Sequence, residues 1–136
     1  MSEIERADVE SFVHAVHDVG STLVGALGPV HRFADVVSMA RQGSVPKSGR
    51  LPGGIEYEVH GFGCAVTDGS GREIDVDFLP DGTPIFDAWR LRQFVESVGR
   101  DARFTDEEVL AVCRDMVAGG RLAEPRSGWF ASNATT

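Results

Sequence analysis

Apolar residues recur along the chain at two different periods, and the switches between them mark out its elements. Val9, Phe12, Val13, Val16 and Leu23 follow helical spacing. Ser2 and Glu5 are placed as a capping box ahead of them, and Gly25, Gly28 and Pro29 form the stop. The pattern predicts a first helix of about five to six turns. A second, shorter helix is predicted over residues 30–41, with Phe33, Val36, Val37 and Ala40 facing inward. Residues 43–54, GSVPKSGRLPGG, break both periods and read as a surface loop. They are no P-loop, because the GxxxxGK spacing and a preceding strand are both missing.

From Ile55 the period falls to two. Ile55, Tyr57 and Val59 alternate with Glu56, Glu58 and His60, as in a half-buried strand. Past His60 the parity slips, since Phe62, Cys64 and Val66 become the apolar set. A continuing strand needs an extra residue there, and a bulge at Gly61 or Gly63 would supply it. The next run, REIDVDF, carries Ile74, Val76 and Phe78 on its apolar side. A three-residue loop of Gly69, Ser70 and Gly71 pairs Asp68 with Arg72 and sets Cys64 opposite Val76. Any loop one residue shorter or longer would bury Asp75 against Cys64, and the cost of burying that carboxylate selects the three-residue loop.

Asp87 then caps a third helix, with Phe86 stapled onto Leu91 and an inward stripe of Leu91, Phe94, Val95 and Val98. Trp89 falls nearly opposite that stripe. A last helix opens on the Thr105–Glu108 box with a Phe104–Val109 staple. It buries Val109, Leu110, Cys113, Met116 and Val117, and stops at Gly119 and Gly120. Residues 121–124 and 128–132 have the makings of a short terminal hairpin, and 133–136 read as a frayed tail. The expected fold is α+β: a small antiparallel sheet, with its central hairpin at 55–78, packed against about four helices in a single domain over 1–132.

Charge narrows the function classes. Of the net −8, residues 55–87 alone contribute −7, while 36–54 carry +3. A field of that sign repels phosphate backbones, and the last helix carries Asp106, Glu107, Glu108 and Asp115 where a reading helix would need bases, so no nucleic-acid partner is expected. No apolar run approaches the roughly 20 residues of a membrane span. The acidic N-terminus is no secretory signal, and two cysteines without a CxxC pairing suit a reducing cytoplasm.

Three constellations could carry chemistry. His14 and His17 lie at i and i+3 but lack a recognisable third ligand, so a solvated helix flank is expected. Cys64 with His60 as base and Asp75 or Asp77 behind it suggests a thiol nucleophile, but the register sends the thiol to the core and the imidazole to the outer face. Asp75 and Asp77, with Glu56, Glu58, Glu73 and His60 on the same outer side, could hold a divalent cation. The commoner outcome is a solvated acidic face with some carboxylates bridged to Arg90 or Arg92. No cofactor, metal or catalytic residue is therefore assigned.

HGFGC (60–64), IDVDF (74–78) and FDAWRL (86–91) taken together resemble the signature of an uncharacterised family of small bacterial proteins, over roughly residues 50–98. The resemblance implies emphasis on His60, Gly61, Gly63, Cys64, Asp75, Asp77, Phe78, Asp87, Trp89 and Arg90, and an association with immunity to bacterial toxins. The resulting expectation is a cytoplasmic protein-binding module of immunity type. In it Glu56, Glu58, His60, Asp75 and Asp77 form an acidic face for a basic partner and Trp89 is the aromatic anchor. The alternative is a small metal-dependent or thiol enzyme centred on His60, Cys64 and Asp75 or Asp77.

Overall fold

The computed structural model describes residues 4–133. The expected α+β architecture is present: four helices, a five-stranded antiparallel sheet and a two-stranded C-terminal hairpin among the described residues. Helix α1 spans Arg6–Ala26 and buries Val9, Phe12, Val16 and Leu23. Ser2 lies outside the described residues. The reciprocal cap forms one turn later, where Glu5 is the N-cap and Asp8 accepts from the Glu5 N–H at 2.8 Å. Helix α2 covers only Asp35–Arg41, shorter than expected. The Asp35 carboxylate accepts from the Arg32 N–H at 3.1 Å, closing a separate turn ahead of the helix.

The stretch expected to be a loop is the largest departure. Residues Ser48–Leu51 form an edge strand, β1, paired with β2 (Ile55–His60). Gly49 makes this possible: a Cβ there would stand 3.1 Å from the Tyr57 ring, whose hydroxyl donates to Pro46 O at 2.8 Å. Four residues containing Gly and flanked by Pro give too little alternation to be read as a strand.

The parity slip after His60 is not a bulge. The chain reverses through Gly61, at φ +47°, and Phe62, and returns as β3 (Gly63–Thr67). In this register Tyr57 faces Val66 and Val59 faces Cys64, so a turn restores the parity without any extra residue. Phe62, expected in the core, sits on this turn 68% exposed, with the Arg41 guanidinium over its ring. The next reversal is as predicted. Asp68 and Arg72 close it, Gly71 stands at φ +90°, and β4 (Glu73–Phe78) pairs Cys64 with Val76, Ala65 with Asp75 and Gly63 with Asp77.

A two-residue strand, β5 (Pro84–Ile85), covers only the Asp77–Phe78 end of β4. Helix α3 (Ala88–Ser97) packs closely on β4. The Glu73 N–H donates to Ser97 Oγ at 2.9 Å, and Gln93 donates to the Glu73 carboxylate at 2.9 Å. Because α3 ends at Ser97, Val98 is a C-cap residue and 42% exposed rather than part of the stripe. Helix α4 (Asp106–Ala118) has the predicted Thr105–Glu108 box. It leads to the terminal hairpin of β6 (Leu122–Arg126) and β7 (Trp129–Ser132). Phe86 and Phe130 exchange backbone hydrogen bonds of 2.9 and 2.8 Å, which ties this hairpin to the sheet. Asn133 is held too, by hydrogen bonds to the Arg121 and Gly120 carbonyls; 134–136 lie outside the described residues.

The helices cover one side of the sheet. Phe12 of α1 meets Phe86 at 4.8 Å and Phe94 at 5.3 Å, between centroids, and Phe33 packs edge-on against Phe78 at 5.0 Å. Cys64 and Cys113 are both free and fully buried, in β3 and α4 respectively, and burial pushes each thiol up to about 12.

Candidate functional site

The side of β2, β3 and β4 away from the helices carries Glu56, Glu58, His60, Gly63, Ala65, Asp75 and Asp77, as strand alternation requires. The three stretches HGFGC, IDVDF and FDAWRL meet at one end of it. Their meeting point is Arg90. Asp87 caps α3 by accepting from the Arg90 N–H at 3.1 Å. Its Oδ1 also accepts from Arg90 Nη1 at 3.2 Å, which sends the guanidinium back over the sheet. There Nη2 donates to Asp77 Oδ1 at 3.1 Å, and Nε lies 3.7 Å from Asp75 Oδ1. Nε makes no hydrogen bond, so its attraction to Asp75 is electrostatic. The guanidinium also lies over two indoles, 4.7 Å from the Trp129 ring centroid and 5.6 Å from that of Trp89. Only 13% of the Arg90 side chain is exposed, so these contacts act at low dielectric, where they are strongest.

His60 completes the cluster, with Nε2 2.8 Å from Asp75 Oδ1. An ionised carboxylate can only accept, so Nε2 carries the proton in this pair. Burial raises the Asp75 carboxyl above its ordinary range. The hydrogen bond and charge of His60 and the charge of Arg90 oppose that rise, and Asp77 adds to it. Gly63 is the space in which this fits. A Cβ on Gly63 would fall 2.2 Å from Val76 O and 2.5 Å from Asp77 Oδ1, so the Asp77 carboxylate folds directly over a bare backbone.

The expected site residues therefore divide. His60, Asp75 and Asp77 come together as foreseen, and Trp89 stands 54% exposed beside them. Glu56 and Glu58 are exposed on the same face, on the strand of His60 and with β3 between them and the two aspartates, and Glu56 is bridged to Arg50 at 3.0 Å. The open acidic face needs correcting, since Asp75 is only 9% exposed and both aspartates are matched to Arg90. Cys64 does not join the site: it is buried and points to the helices, with its thiol pushed up to about 12 by burial and by the Asp75 charge. No thiol nucleophile is assembled around His60.

His60, Asp75 and Asp77 offer donor atoms within 4.8 Å of one another, a spacing that a divalent cation could bridge. The Arg90 guanidinium already supplies the positive charge these carboxylates face, and a metal would have to displace it. His14 and His17 join no such group among the described residues; His14 lies 3.6 Å from Asp18. The sequence pointed to Arg90 as a partner of the acidic face but not as a buried hub, and Trp129 as its cover was not picked out. The i, i+3 relation of Asp87 and Arg90 was a usable signal for the first. Nothing in the sequence near Trp129 signalled the second.

Neither the curated proteins nor the solved structures contain a significant match to the chain. Residues 6–131 match a family described as a domain of unknown function, and they include every element described above except the ends. The three converging stretches thus lie inside the matched region, and the chain belongs to the DUF6896 family.

Proposed function

We propose that the protein is a binding module that neutralises a basic partner protein, in the manner of an immunity protein in the bacterial cytoplasm. The carrying observation is Trp89, an indole 54% exposed on a helix whose next residue is locked by three carboxylates. A large apolar side chain on so rigid a base loses little entropy on docking, and Trp beside Arg is the composition of an interface anchor. Phe62, 68% exposed on the β2–β3 turn, offers a second exposed aromatic side chain. Asp75 and Asp77 build the base beneath this surface. Long-range attraction falls instead to Glu58 and Glu73, on the outer sheet face, and to the overall charge of −8.

Affinity capture with the native protein and with a Trp89→Ala/Phe62→Ala variant, run side by side and followed by mass spectrometry, tests this reading. The expected outcome is a basic protein retained by the native chain and lost by the variant, whose association slows as salt is added. Identical captured sets from the two chains would overturn it.

A second reading rests on the His60–Asp75 pair at 2.8 Å, in which the carboxylate accepts from Nε2–H and so leaves the Nδ1 lone pair of a partly exposed neutral imidazole as a general base. It predicts a hydrolytic or proton-transfer activity lost in His60→Gln, with binding of the partner retained.

A further inference from the structure

The helix-covered side of β4 holds a cleft that the Arg90 cluster does not reach. Val76 contributes to its lining, while Asp75 and Asp77 project from the opposite face of the same strand. Its volume is about 800 Å³, within the range of pockets that enclose a small organic molecule. The walls are apolar: Val13 and Val24 from α1, Phe33 from the turn before α2, and Pro84 from β5, all half-buried. Phe33 is fixed there because α1 has glycine at position 20, where a Cβ would meet the ring at 2.7 Å.

The rim is the unusual part. His14, His17, His31, Arg32 and Arg121 all line this cleft, so three of the four histidines of an acidic protein gather around it with two arginines. Glu10 is the acid in the lining. It pairs with Arg121 at 2.9 Å, both side chains being at least half exposed. Arg32 donates to the Asp81 carbonyl at 2.9 Å, a bond that positions the guanidinium without cancelling its charge, and lies 3.4 Å from Asp35. His14 faces Asp18 at 3.6 Å. His17 and His31 have no hydrogen-bonding or ionic partner among the described residues. Donors above apolar walls match a ligand with one anionic end and an apolar body.

We infer that this cleft binds a small amphipathic carboxylate, its anionic end at Arg121 and its hydrocarbon part running along α1 past Val13 toward Val24 and Phe33. The exposed Arg121–Glu10 pair gives way at little cost, because solvent-exposed ion pairs contribute at most about 1 kcal/mol.

Anilinonaphthalene sulfonate, a fluorescent amphipathic anion, serves as the probe, with decanoate and decanol as competitors on the full chain. One saturable site per chain is expected, from which decanoate displaces the probe about tenfold more effectively than decanol. Arg121→Gln should abolish that preference, and Val24→Phe should weaken both competitors by filling the apolar end. Circular dichroism and thermal melts of each variant show whether the fold is intact; Arg121 is on the surface, so its variant remains informative if Val24→Phe misfolds. Equal competition by decanoate and decanol, with Arg121→Gln silent, would overturn the anionic assignment. Absence of saturable binding to the folded chain would overturn the site altogether.

Discussion

Two aspartate sites on the same hairpin solve the same problem by opposite means. At the closed end, Asp68 is satisfied from within its own turn: its carboxylate accepts from Ser70 N at 3.0 Å, Ser70 Oγ at 2.8 Å and Arg72 N at 3.0 Å, and is paired with the Arg72 side chain. At the other end, Asp75 and Asp77 draw on His60 and Arg90, 15 and 13 residues away in sequence. The consequences for ionisation are opposite. Burial alone would raise Asp68, but the bonds from Arg72 and Ser70 outweigh it and hold its carboxyl below the ordinary range. Asp75 is less completely compensated, and burial keeps it above. A locally built site stabilises the charge it holds. One assembled across the fold tolerates a charge that stabilises something else, here the placement of Arg90 and Trp89.

If that distinction holds, the largest loss should follow removal of the distant hub. Arg90→Ala removes the cation shared by three buried or half-buried carboxylates and should cost about 3–5 kcal/mol in denaturant unfolding. Arg90→Lys should recover only part of this, because an ammonium lacks the fork that spans Asp77 and Asp87. Next comes Gly63→Ala, which drives a methyl into Val76 O and Asp77 Oδ1 and should cost about 1–3 kcal/mol. Little change in its melting temperature would mean that the β4 backbone at Val76 gives way along with the Asp77 carboxylate.

Asp68→Asn should lose about 1–2 kcal/mol at neutral pH, and its pH dependence sharpens the contrast. A lowered carboxyl contributes stability above the unfolded value of about 3.9, and that contribution disappears as pH falls through the folded value. The gap between native chain and Asp68→Asn should therefore close on acidification. For Asp75 the sign reverses. Its contribution is greatest below the unfolded value and declines as pH rises through the raised folded one, so the native chain should lose ground to Asp75→Asn over that interval. Parallel curves for the two variants would remove the distinction. The smallest effect belongs to Trp89→Ala, expected within about 0.5–1 kcal/mol in stability since half the ring is already in water. A larger loss would show that the indole serves the Arg90 stack more than the surface.

The same division governs what could be read in advance. The Asp68–Arg72 reversal, the Asp87 cap and the Thr105–Glu108 box were legible because each depends on residues three or four apart. The β3–β4 register followed from one parity argument, since a single slip would have buried Asp75 against the thiol. The His60 reversal was mistaken for a bulge because both devices restore parity, and local pattern does not separate them. Strand β1 was missed because its evidence lies in the partner: the Tyr57 ring needs the space over Gly49. The convergence on Arg90 was partly visible, as a pairing of the acidic face with Arg90, but its burial was not. That burial depends on Trp129, brought in by the Phe86–Phe130 bridge between segments more than forty residues apart.

The two sealed sulfhydryls give the molecule a built-in reporter. With Cys64 in the sheet and Cys113 in the last helix, both out of contact with water, an alkylating reagent can reach neither until its layer opens. The relative speed of modification at the two sulfurs would then show whether sheet and helix part together or one ahead of the other.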